Sequence, residues 1–159
     1  MECTVQWAGD DGMAFIATTG SGHILAMDGA AAAQAGEPGG HNLAPRPMET
    51  VLAGTGGCSA YDVVYILKKG RQDVRGCSVK LQAERAATDP KVFTRIHLHF
   101  TVSGKGLAPS VVERAVHLSH EKYCSATAML AKTAAITSSV EIVDIDGDPA
   151  RGTPGPEAG

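Results

Sequence analysis

The sequence predicts an α+β fold with the element order β-β-β-α-β-β-α-α-β and two long central helices. Three observations carry this. Short alternating stretches separated by glycine turns open the chain, an apolar stripe at helical spacing runs from Met48 to Lys69, and two longer alternating stretches precede a return of helical spacing at Pro109. The 159 residues, 43% of them apolar, suit a single domain over residues 1–146, because a chain of this size buries about 68–70% of its unfolded surface.

Residues 2–8 and 13–19 alternate as strands around the turn Gly9-Asp10-Asp11-Gly12, and His23-Ile24-Leu25-Ala26-Met27 adds a third after Gly20-Ser21-Gly22. A β-meander is expected. Residues 28–47, rich in Gly, Ala and Pro, hold no sustained period and predict a loop with one helical turn at Ala30–Ala35, ending at Pro45-Arg46-Pro47. From Met48 the spacing of Val51, Leu52, Thr55, Cys58, Val63, Val64 and Leu67 fits a long helix closed by Lys68-Lys69-Gly70.

Two strands are expected next, over about 76–87 and 92–103, forming a hairpin that turns at Asp89-Pro90. Arg95, His97 and His99 fall on the polar face of the second, opposite Ile96, Leu98 and Phe100. Pro109-Ser110 opens a second helix to Tyr123 or beyond, Ser125 to Ala131 forms a short third one, and Ser139 to Ile145 alternates as the last strand. Residues 147–159, rich in Pro and Gly without apolar pattern, read as a disordered C-terminal tail.

The net charge of −3 is interspersed along the chain, with no basic stripe or aromatic-interleaved patch of the kind nucleic-acid binding needs. The N-terminal Met1-Glu2-Cys3-Thr4-Val5-Gln6-Trp7 has neither a basic n-region nor an apolar h-region, and no run of about 18 apolar residues occurs. A soluble cytoplasmic protein that binds neither membrane nor nucleic acid is the expectation. Thiols stay reduced in that compartment, so four cysteines argue against a disulfide scaffold and leave metal binding, redox chemistry or burial.

Positions 3, 58, 77 and 124 match no zinc-finger spacing, so no four-cysteine metal site is expected. His117, His120 and Cys124 share a helix face and imitate a ligand set, but the helix ends near Cys124 and no fourth ligand is evident. No metal or other cofactor is expected. Cys3 and Cys77 lack polar neighbours and read as small buried residues.

Cys58 and Cys124 are the informative pair, since each sits in a largely apolar, helix-like context where a thiol is shielded yet reachable by a small oxidant. Gly54, Gly56 and Gly57 beside Cys58 each disfavour a helix interior by roughly 1 kcal/mol relative to Ala. Close approach of another helix backbone would offset that; the alternative is a kink or a later helix start. Glu49 and Cys58 point to opposite faces of one continuous helix, about 13 Å apart along its axis. Glu49 can therefore serve the thiol only of a second subunit, with the glycine face as the crossing point; otherwise it is a first-turn acid favoured by the helix dipole.

Pro47-Met48-Glu49 followed by Gly56-Gly57-Cys58, with Tyr123-Cys124-Ser125 near the end of the second long helix, resembles the OsmC/Ohr family over roughly residues 4–145. The resemblance implies an OsmC-like fold in an intertwined homodimer with two sites at the subunit interface. It further implies reduction of hydroperoxides through a cysteine pair in oxidative or osmotic stress defence, without metal or flavin and with an external dithiol as reductant. By resemblance Cys58 is the peroxidatic cysteine, Cys124 the resolving cysteine and Glu49 the acidic residue beside the thiol. Family peroxidases add an arginine from the N-terminal half; residues 1–45 contain no Arg or Lys, which leaves Arg46 as the candidate. The run Asp62-Val63-Val64-Tyr65-Ile66-Leu67-Lys68-Lys69-Gly70-Arg71 resembles a less characterised branch of the family.

A free thiol with a pKa near 8.5 is only a few per cent thiolate at neutral pH, so a nearby cation matters, and Arg46 is the residue on which the reading turns. Val51, Leu52, Val63 and Met129 would suit an alkyl tail, although ordinary core packing explains each of them. The alternative function is a non-catalytic, redox-sensing or small-molecule-binding protein of the same fold.

Overall fold

The computed structural model describes residues 1–9 and 12–145. Residues 10 and 11, the centre of the expected first turn, and the expected tail over 147–159 lie outside the described residues. The chain divides into two compact units, Met1–Gly54 and a second that begins at Thr55.

In the first unit, β1 (Cys3–Trp7), β2 (Phe15–Thr19) and β3 (Ile24–Met27) form an antiparallel meander in the order β1-β2-β3, as the alternation predicts. Every residue of β1 is exposed, Cys3 included, so the expectation of a buried Cys3 is wrong: β1 packs by its backbone ladder and not by a covered face.

No helical turn forms at Ala30–Ala35. Asp28, 2% exposed, organises the segment instead, its carboxylate accepting the backbone N–H groups of Gly29 (2.7 Å), His41 (3.0 Å) and Leu43 (3.0 Å). The Leu43 N–H, with help from Gly29 and His41, holds the Asp28 carboxyl below its ordinary value against the opposing effect of burial. One carboxylate thereby fixes both ends of the loop.

The loop delivers the chain to α1 (Pro47–Lys69), which begins as a helix should. Pro47 occupies the first helical position, where no N–H is needed. The Arg46 carbonyl accepts the Thr50 N–H at 3.0 Å, and Glu49 Oε2 reaches back to the Arg46 N–H at 2.9 Å, which is the side-chain half of a capping box. At the far end the Gln72 N–H bonds the Leu67 carbonyl and the Arg71 N–H bonds that of Lys68, both at 3.0 Å. This is a Schellman closure in which Arg71, at φ +57°, takes the left-handed position; Gly70 was the expected stop, and the turn falls one residue later.

The second unit is built on a sheet of order β4-β5-β6, from β4 (Asp73–Arg85), β5 (Phe93–Lys105) and β6 (Ala135–Asp144). The hairpin of β4 and β5 is antiparallel, while β6 runs parallel to β5. A parallel neighbour requires a crossover, supplied by α2 (Pro109–Leu118), a π-helical turn (Ser119–Tyr123) and α3 (Ser125–Leu130).

From Ile96 onward strand β5 alternates. Ile96, Leu98, Phe100 and Val102 are buried on one face and join Val63, Leu67, Val112, Ala115 and Val116 in the core. Each of these side chains larger than alanine contributes about 1.5–3 kcal/mol on burial. On the other face His97 hydrogen-bonds Thr137 Oγ1 (2.8 Å) and Ser139 Oγ (2.9 Å), and His99 bonds Ser139 Oγ (2.8 Å), tying β5 to β6 through polar groups. Arg95 on that face pairs with Glu84 at 3.7 Å.

The glycines of α1 divide in role. A Cβ on Gly56 would come within 2.6 Å of Leu81 Cδ1, so the close approach expected of another helix is made to strand β4. A Cβ on Gly57 would meet nothing within 4 Å among the described residues.

Candidate functional site

Helix α1 sets two of the groups. Cys58 and Asp62 are four residues apart, one above the other on a single face, and both are half-buried. The other elements of the site come from the crossover.

The helical run from Pro109 reaches Tyr123 as predicted, but its last turn widens to π geometry, with the Cys124 N–H bonding the Ser119 carbonyl at 2.9 Å. Such single-turn widenings cluster at functional sites. Cys124 itself has left the helix: its backbone is extended (φ −72°, ψ 101°) and it stands at the N-cap of α3, where its Sγ accepts the Thr127 N–H at 3.5 Å. The sequence pattern ends the second helix near Cys124 and starts the third at Ser125, and Cys124 stands at that junction. Thr127 Oγ1 donates to the Cys124 carbonyl at 2.9 Å, so the cap is held from both sides.

Ser119, fully buried, fastens the π turn to α1 by donating to the Ser59 carbonyl (3.3 Å) and to Asp62 Oδ2 (3.2 Å). The outcome is a contact between residues distant in sequence. Cys58 and Cys124 lie 3.2 Å apart as free thiols. Their sulfurs and an Asp62 carboxylate oxygen all lie within 4.8 Å of one another.

The two thiols are electrostatically unlike. Burial pushes the Cys58 thiol up, and its hydrogen bond to Cys124 and the charge of Asp62 push the same way. Burial also opposes the charged form at Cys124, but hydrogen bonds from Ser59 and Thr127, together with that from Cys58, outweigh it and pull this thiol below its ordinary value. Of the two, Cys124 is the thiol whose charged form the surroundings favour, and Cys58 is the one whose charged form they oppose.

Of the four residues singled out in the sequence, Cys58 and Cys124 are brought together. Arg46 and Glu49, both exposed, lie in the first unit and meet each other there through the Arg46 backbone N–H. Asp62, Ser59, Ser119 and Thr127 were missed. The four-residue spacing of Cys58 and Asp62 was the available signal, whereas Ser119 carries none, since its role depends on a fold contact. His117, His120 and Cys124 do not converge among the described residues; the converging group is Cys58, Asp62 and Cys124.

The family model for OsmC-like protein matches residues 39–139. The chain is 48% identical over 143 residues to Protein YhfA of Escherichia coli K12, covering 90% of this chain and 98% of that protein. Among solved structures, a hypothetical protein from Aquifex aeolicus VF5 is similar at 27% identity with a TM-score of 0.75, over 91% of this chain and 97% of the other. An organic hydroperoxide resistance protein OsmC from Legionella pneumophila shares the fold at 19% identity and a TM-score of 0.60, over 88% and 96% of the two chains.

Proposed function

Because the chain belongs to the OsmC-like protein family, we propose that it is a thiol-dependent peroxidase that reduces organic hydroperoxides through Cys58 and Cys124. The observation that carries the proposal is the 3.2 Å approach of the two free thiols. The Legionella protein of the same fold bears the name of organic hydroperoxide resistance, which fits this chemistry.

Cys58 is the attacking residue, being half-buried where Cys124 is 2% exposed. Its S–H proton passes to the Cys124 thiolate, and the resulting Cys58 thiolate attacks the terminal oxygen of ROOH. The O–O bond breaks, Cys58 becomes a sulfenic acid, and the alkoxide leaves and takes a proton from solvent. The Cys124 thiol then condenses with the sulfenic acid, forming the disulfide and releasing water. An external dithiol restores both thiols by exchange.

In this reading the working unit is a homodimer in which Arg46 supplies positive charge and Glu49 orients it beside the Cys58 of the second copy. Support comes from the outward face of α1, where Tyr61 and Tyr65 stack 6.2 Å apart while 71% and 55% exposed. Gly57 leaves room on the helix for a close neighbour. No described helix is long and apolar enough to cross a membrane.

One observation favours the second reading, a redox-sensing or small-molecule-binding protein: the Cys58 thiol is pushed up by burial and by Asp62. Consumption of tert-butyl hydroperoxide, cumene hydroperoxide and H2O2 with a dithiol reductant separates the two. Catalytic turnover lost in Cys58→Ser and weakened in Arg46→Ala supports the peroxidase; a wild type no faster than Cys58→Ser with any reductant defeats it.

A further inference from the structure

We propose that Cys58, Asp62 and Cys124, in their reduced state, form a three-ligand site for a borderline-soft divalent cation of the Zn2+ class, with water as the fourth ligand. Two thiolates and a carboxylate are donors that zinc takes readily, and three protein ligands with an open fourth position is the arrangement of reactive zinc centres. With bonds of about 2.3 Å to sulfur and about 2.0 Å to oxygen, tetrahedral coordination places donors roughly 3.3–3.8 Å apart. The three donor atoms already lie within 4.8 Å of one another, so small side-chain movements close the site.

The surroundings are those of a held ligand set. Asp62 Oδ2 accepts the Ser119 hydroxyl at 3.2 Å, which orients the carboxylate. Cys124 is fixed by the Thr127 N–H and buried, and Cys58 stands one helical turn from Asp62 on the rigid α1. A divalent cation among these three donor atoms is the charge that two thiolates and a carboxylate brought this close would share. On binding, any proton still held by either sulfur leaves to solvent and no electron moves.

The site does not depend on peroxidase activity, because binding needs only reduced thiols. It makes the metal and the peroxide exclusive: zinc occupies both sulfurs, and oxidation to the disulfide removes two of its ligands.

The test uses full-length, reduced, metal-free protein, titrated with Zn2+ against a chromophoric chelator and with Co2+ as a spectroscopic probe. The expected result is one Zn2+ per chain and a thiolate-to-cobalt charge-transfer band, both lost in the disulfide form of the wild type. Asp62→Asn weakens binding tenfold or more, and Ser119→Ala by about 10–100-fold, as loss of an orienting partner does. Failure to compete with the chelator, a cobalt spectrum without the charge-transfer band, or an affinity unchanged by thiol oxidation or by Asp62→Asn each overturns the proposal. The oxidised wild type keeps the test independent of how the variants fold.

Discussion

Ser119 donates its hydroxyl proton to the Asp62 carboxylate across 3.2 Å, and this bond joins the π turn of the crossover to the helix that carries Cys58. With the companion bond to the Ser59 carbonyl, one buried hydroxyl sets the separation of the two thiols. Ser119→Ala should therefore destabilise the protein by about 1–3 kcal/mol, the range for losing a buried partner of a charged group. Disulfide formation should slow by more than the stability loss accounts for. Urea unfolding and the rate of disulfide formation after one equivalent of hydroperoxide measure the two effects; an unchanged rate would sink the positioning role.

Cys124→Ser should stop the reaction after one oxidation. With the resolving thiol gone, Cys58 holds the sulfenic acid, and mass spectrometry of the intact chain should find one added oxygen that a dimedone-type reagent captures. If the variant turns over at the wild-type rate, resolution occurs elsewhere.

Asp28 makes the first unit sensitive to acid. Its folded-state pKa lies below the ordinary value of 3.8, so its contribution is complete above about pH 4 and is lost as pH falls through the depressed folded value. Asp28→Ala should remove that contribution at every pH, accelerating hydrogen exchange at the Gly29, His41 and Leu43 amides. Wild-type exchange at these amides, corrected for the intrinsic rate, should approach the variant's only at low pH. Equal protection in the two proteins at neutral pH would refute the assignment.

Gly56 and Gly57 should respond differently to a large side chain. Gly56→Leu drives into Leu81 and should destabilise the fold by about 1–3 kcal/mol. Gly57→Leu meets open space within the chain, so thermal unfolding of the monomer should be little changed while association of two copies weakens. Sedimentation and thermal unfolding, run side by side, test this; a Gly57→Leu protein that stays dimeric at wild-type strength contradicts the proposed crossing of α1 helices.

The strand and helix order was legible because each element has a single dominant period, as in Ile96-His97-Leu98-His99-Phe100, where every second residue is buried or nearly so. The Cys58 face of α1 was legible for the same reason. The widened turn before Cys124 was not, because Ser119–Tyr123 would fit an ordinary helical turn and its contacts reach Ser59 and Asp62, 60 and 57 positions away in sequence, which local patterns cannot read. The alanines at 30–35 favoured a helical turn by propensity, and Asp28 overrode it by capturing the backbone N–H groups on both sides of the segment.

The π turn has a consequence in residue count. A π turn closes its hydrogen bond one residue later than an α turn does, so the five residues Ser119–Tyr123 carry Cys124 one position past the end of a regular helix. Wound as a regular α turn, the same five residues would carry the thiol further around the axis by up to about 100°, the step of one residue, and away from Cys58. The chemistry of the pair thus depends on how this turn is wound as much as on its side chains. A relative of the same length with a regular helical turn in this place would keep both cysteines and the fold, yet hold two thiols that do not meet.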